Sequence, residues 1–161
     1  MPLVMAAVLA LFRLLPRLDP RRANYEKFGE TYDLVVTAVM VVLLCMHVLA
    51  LGVALGWPVP IGRLAPLIVG ALLMVVGNVL PRARPTWFFG IRTPWTLSSD
   101  RVWERTHRVG GYMMIVAGAT IALSGLLWPR WGGTTAVLSG AALSLGLLGY
   151  SYVAWRRETA R

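Results

Sequence analysis

Apolar residues run along this chain in blocks too long to be one face of a soluble helix. Four blocks, near 34–57, 61–80, 109–128 and 132–155, reach the roughly 20 residues a helix needs to cross a hydrocarbon core, and each predicts a membrane span. A shorter run at 3–15 carries Arg13 near its end and as a helix extends only about 20 Å. It reads as a tilted or shortened span whose beginning lies outside this chain. It is followed by "RLLPRLDPRR", which is no small-residue cleavage site for a signal peptide. The pattern predicts an all-α, polytopic transmembrane bundle of about five segments, forming a single membrane domain over 1–161.

The polar positions are concentrated between the third and fourth long blocks, where the chain reads "GIRTPWTLSSDRVWERTHRVGG" over residues 90–111. Pro81, Pro85, Pro94 and Gly90 interrupt the backbone upstream, so the connector begins as an ordered loop or a series of short turns. Ser98 or Ser99 can then cap a short interfacial helix whose first turns hold Asp100 and Glu104, where negative charge suits the positive end of the helix dipole. Helical spacing places Arg101, Arg105 and Arg108 on one face and Trp103, His107 and Gly110 or Gly111 on another. Trp87, Trp95 and Trp103 are expected at the membrane boundary, which accommodates both the apolar body of an indole and its N–H.

Composition strengthens the membrane reading: 57% of residues are hydrophobic and 14% charged, with a mean hydropathy of +0.65, against about 25% charged for a soluble domain. The net charge of +9 is first a topology signal. Five basic residues fall between the first two runs, six lie in 81–108 and three at the C-terminus, fourteen in all, against Arg63 and Arg130 in the alternate loops. The positive-inside tendency places the 81–108 connector and the C-terminus in the cytoplasm and the N-terminus outside. Attraction to anionic headgroups is a second use of that charge, and direct nucleic-acid binding is not expected.

All seven acids lie outside or at the edge of the apolar runs. That disfavours ion-coupled transport, which relies on intramembrane charge. Cys45, the single cysteine, sits inside an apolar run and reads as a small apolar side chain. There is no HExxH, no metal-spaced His/Cys set and no GxSxG, so no catalytic residue, cofactor or metal is expected. His47 is a candidate intramembrane polar site, although an imidazole there is more often hydrogen-bonded to a neighbouring helix. Asn78 is expected to bond across helices or to cap the helix that Pro81 terminates. Gly118 with Ala122, and Gly140 with Ser144, recur four apart and would let helices approach closely.

Residues 77–111, "GNVLPRARPTWFFGIRTPWTLSSDRVWERTHRVGG", resemble the hallmark of the SdpI/YfhL family of bacterial membrane proteins. Gly77, Asn78, Gly90, Ile91, Arg92, Thr93, Pro94, Trp95, Thr96, Leu97, Trp103, Thr106, His107, Arg108 and Gly111 stand at matching positions. The resemblance extends over most of 17–128, and Thr86 departs from it where many members have asparagine. The resemblance implies a multi-pass protein of the bacterial cytoplasmic membrane that is not an enzyme. Its function would be immunity to a secreted toxin peptide met on the outer side, coupled to sequestration of a transcriptional repressor on the cytoplasmic side. Arg92, Trp95, Trp103, His107 and Arg108 become the expected key residues, with the two arginines forming hydrogen bonds and the tryptophans setting depth. An envelope-stress or membrane-integrity protein without a repressor partner, and a membrane enzyme or peptide exporter, are the alternatives.

Overall fold

The computed structural model describes residues 2–160, which form six helices: α1 (Pro2–Leu18), α2 (Gly29–Ala54), α3 (Ile61–Val79), α4 (Pro94–Ser98), α5 (Asp100–Leu127) and α6 (Gly132–Thr159). Short 3₁₀ segments at Arg22–Lys27, Leu80–Arg82 and Pro129–Trp131 join them, and no strand occurs among the described residues. Four segments, Gly29–Ala54, Ile61–Arg82, Asp100–Leu127 and Pro129–Thr159, are long and apolar enough to cross a membrane. The 17 residues of α1 extend about 25 Å, short of a full hydrocarbon core of about 30 Å.

What faces outward is apolar and what packs inward is small. Val137 and Leu145 on α6 are 72% and 71% exposed, an arrangement that would aggregate in water and is the ordinary state of a helix solvated by lipid. Inside, α3 and α5 pack almost backbone to backbone. A Cβ added to Gly77 would lie 2.6 Å from the carbonyl oxygen of Gly111, and one added to Gly118 would lie 2.5 Å from that of Gly70. Where lipid is as apolar as the side chains, such close van der Waals packing is what holds helices together. Ala122 also meets Gly70, so the Gly118–Ala122 pair lies in this seam. Gly140 has nothing within 4 Å, and Ser144 bonds back to the Gly140 carbonyl of its own helix. The same spacing on α6 therefore makes no helix contact.

One expectation about the connector changes. The short interfacial helix and the span at 109–128 are one uninterrupted helix, α5, of 28 residues. Gly110 and Gly111 do not break it, because both are buried in contacts with Ile91, Leu147, Gly77 and Pro81.

The bundle has two unlike ends. At one, Trp57, Trp128 and Trp131 are more than half exposed, and the turn around Pro129 touches Gly62. At the other, the end of α6 meets the 80–99 connector, and the connector meets the 19–28 arm over an aromatic cluster. Tyr25, Phe28, Tyr32 and Val36 are buried there, with Phe12 of α1 and Phe89 of the connector packed against them. Tyr32 donates its hydroxyl proton to the Phe12 carbonyl at 2.6 Å, which ties α1 to the base of α2.

Candidate functional site

The connector is a folded knot built on α5. Ser99 is the N-cap: its hydroxyl accepts from the Val102 N–H and donates to Glu158 at 2.9 Å, joining the start of α5 to the end of α6. Ser98 instead bonds to the Trp95 carbonyl. One turn upstream, Thr93 and Thr96 form a reciprocal capping box around α4, with Pro94 at the first helical position, where its missing N–H costs nothing. The Thr96 hydroxyl also donates to the Ile91 carbonyl at 2.8 Å. Thr86, fully buried, closes the preceding turn by donating to the Phe89 carbonyl at 2.9 Å.

Trp103 and His107 fill the centre of the knot. Both are 0% exposed, and their rings stack at 4.0 Å with 19° between planes. The Trp103 indole N–H donates to the Ala83 carbonyl at 2.9 Å. The Ile91 N–H donates to His107 Nε2 at 2.9 Å, so Nε2 must carry a lone pair. Nδ1 then bears the proton and donates it to the Trp103 carbonyl at 2.9 Å. Both ring nitrogens are occupied, and the imidazole is a neutral structural link. Gly90 lies over this pair with a φ of 104°. A Cβ there would fall 2.8 Å from the Trp103 ring and closer still to His107 Nε2, so only glycine fits. Trp103 is therefore a buried indole with a fixed protein partner.

The 19–28 arm is the second half of the knot. Asp19 is 3% exposed, and its carboxylate accepts four hydrogen bonds: from the Arg21 N–H at 2.8 Å, the Tyr25 hydroxyl at 3.1 Å, and the Trp87 and Phe88 N–H groups at 2.9 and 3.2 Å. Asn24 donates to the Pro85 carbonyl at 2.7 Å. Arg21 reaches the Leu97 carbonyl at 3.5 Å and pairs with Asp100 at 3.5 Å. Burial, and secondarily the Asp19 charge, push the Tyr25 phenol well above its ordinary value, so it remains a hydrogen-bond donor. Sequence reading missed Asp19 and Asn24 as connector ligands. The "LDP" turn was the available signal, since an aspartate before proline favours a side-chain-bonded turn.

The remaining candidate residues divide by exposure. Thr106 is buried, with no partner for its hydroxyl. Arg92 is exposed and donates to the Trp87 carbonyl at 3.0 Å. Trp95 packs edge-on against Tyr152 of α6 at 5.2 Å. Pro94, Arg101, Arg105 and Arg108 are exposed; Arg108 makes no hydrogen bond among the described residues, in contrast to its expected role. Asn78 points outward from α3 with no side-chain hydrogen bond among the described residues, so the cross-helix bond or cap expected of it is absent. His47, half-buried on α2, lies in a different region from the knot. No group of three potential metal ligands occurs among the described residues.

Residues 82–153 match the SdpI/YfhL protein family. This stretch starts later than the 17–128 resemblance and continues further, taking in the connector, α4, α5 and most of α6. Over 84 residues the chain is 32% identical to the immunity protein SdpI of Bacillus subtilis (strain 168). The aligned stretch is 52% of this chain and 41% of that relative, so the chain spans well under half of the relative's length. No solved structure matches the chain.

Proposed function

We propose that this chain, whose residues 82–153 match the SdpI/YfhL family and which is 32% identical over 84 residues to an immunity protein, is a bacterial membrane immunity protein that protects its producer from a secreted toxin peptide and holds a transcriptional repressor at the cytoplasmic face. The observation that carries this reading is the overlap of the family match with the connector knot, an elaborately fixed part of an otherwise plain apolar bundle. Such fixing has a purpose if the connector must present a defined surface.

In this reading the basic end is cytoplasmic, because the connector and the C-terminal helix end gather most of the basic side chains there. The buried motif residues, Thr93, Thr96, Trp103, Thr106 and His107, act as positioning residues. The repressor meets the exposed ones outside the cleft, Arg92, Arg101 and Arg105 with Trp87 beside them. The toxin peptide meets the opposite end, where Trp57, Trp128 and Trp131 are exposed, or the adjacent lipid-facing surface. The two ends are joined by α5, whose 28 residues extend about 42 Å without a break. A peptide that favours one tilt of that rod changes what the connector presents, which is the differential interaction that coupling between sites requires. No bond-making step is assigned to any residue.

The test is expression of the chain in toxin-sensitive bacteria challenged with a panel of secreted peptide toxins. Survival above the empty-vector control for at least one toxin is expected. Equal killing across the panel, with the protein present in the membrane, refutes the immunity reading.

A further inference from the structure

Beside the knot, a cleft of about 920 Å³ opens between the base of α2 and the α3–α5 junction. Its lining has a charge pattern unlike the rest of this basic end. One wall carries Glu26, Glu30 and Asp33, with Lys27 at its edge; the other carries Arg82, Arg84 and Arg108, with Glu104. Three acids and a lysine thus face three arginines and a glutamate in a chain whose net charge is +9 and whose acids number only seven. Arg84 and Glu104 pair at 3.4 Å, both on the basic wall. Among the described residues no ion pair crosses the cleft, so opposite charges face each other across an open space.

A second observation concerns where the cleft leads. Asp33 also lines a groove of about 460 Å³ between α1 and α2, with Arg13 at the same mouth and Leu9, Val36, Met40 and Leu44 along its length. A bipolar cleft at the basic end of the bundle therefore adjoins a mostly apolar trough along a candidate membrane helix.

We propose that this cleft and groove bind a zwitterionic phospholipid with a primary ammonium, of the phosphatidylethanolamine class. The phosphate lies against Arg82 and Arg108, the ammonium against Glu30 and Asp33, and an acyl chain follows the α1–α2 groove. Guanidinium–phosphate and ammonium–carboxylate contacts are charge-assisted and the strongest of their kind. Phosphatidylglycerol satisfies the arginines with its phosphate but offers the carboxylates only neutral hydroxyls and no cation. A choline headgroup has the right charges but no N–H to donate.

The experiment is native mass spectrometry of the full chain, released from detergent after exposure to an equimolar mixture of phosphatidylethanolamine, phosphatidylcholine and phosphatidylglycerol with identical acyl chains. Ethanolamine-lipid adducts are expected to exceed each of the others by about tenfold, the effect of roughly one charge-assisted hydrogen bond. Glu30→Gln with Asp33→Asn should abolish the preference over the choline lipid while leaving phospholipid binding. Arg82→Gln should reduce adducts of all three. Arg101→Gln with Arg105→Gln, outside the cleft, should retain the parent pattern and control for general loss of charge. Equal adducts of the three lipids in the parent, dominance of phosphatidylglycerol, or a preference unchanged by the double acid substitution overturns the proposal.

Discussion

Replacing Gly90 by alanine tests the knot at its tightest point. The backbone there has a φ of 104°, and holding a residue with a Cβ in left-handed space costs about 1–2 kcal/mol. The new methyl overlaps the Trp103 ring and His107 Nε2, and forcing an extra carbon into a packed site costs about 1–3 kcal/mol more. His107 can retreat only by releasing the Ile91 N–H, and an unpaired buried donor costs about 1–3 kcal/mol. The last two effects share one movement and overlap, so the expected loss is about 3–5 kcal/mol in total. That is a large part of an ordinary stability of about 5–15 kcal/mol. Gly56 isolates the backbone contribution, because its φ is 77° but nothing lies within 4 Å of an added Cβ. Thermal unfolding of purified Gly90→Ala and Gly56→Ala, followed by tryptophan fluorescence, should lower the midpoint by about 10 °C or more for the first and by only a few degrees for the second. If Gly90→Ala is no worse than Gly56→Ala, the packing of Gly90 on Trp103 and His107 does not stabilise the protein.

Three further outcomes follow from the same contacts. Gly118→Ala should destabilise the α3–α5 seam and Gly140→Ala should be neutral or slightly stabilising, since only the first meets a backbone oxygen; paired thermal melts separate the two. Asp19→Asn turns an amide NH₂ toward N–H donors and should cost about 2–3 kcal/mol, read as faster tryptic cleavage near Arg92 and Arg101, and cleavage at the parent rate would remove Asp19 from the knot. In a Cys45→Ala background, Ser98→Cys should be protected from an impermeant thiol reagent in intact cells and label after permeabilisation, while Pro60→Cys labels in both; the opposite pattern would invert the orientation.

Much of this architecture is legible in the sequence because lipid imposes a simple rule. A span must be long and apolar, and the four long blocks reappear as α2, α3, α5 and α6. Helical periodicity likewise separates exposed Arg101, Arg105 and Arg108 from buried Trp103 and His107. Spacing alone does not determine whether a small-residue pair is used: Gly118 and Ala122 meet α3, whereas an added Cβ at Gly140 meets nothing and Ser144 bonds only within its own helix, and the difference lies in which face the neighbouring helix covers. The connector was legible as a break in helix and illegible as a knot. Its key bonds join Asp19 to Trp87 and Phe88 across 68 and 69 residues, and Asn24 to Pro85 across 61, distances at which no local pattern reports a partner. The burial of Trp103 is hidden for a related reason. An indole suits an interface, but this one has a carbonyl waiting in the interior.

The central claim is that buried connector residues hold the protein together while exposed arginines on the same helix serve a partner. The most direct test measures toxin survival and repressor recovery with membranes in the same cells, for the parent chain and for Arg101→Ala with Arg105→Ala. Both positions are exposed, so the double variant should keep parental abundance and survival and lose repressor recovery. Loss of survival and recovery together at unchanged protein level would mean that one site serves both, and would contradict the division between the two faces of α5.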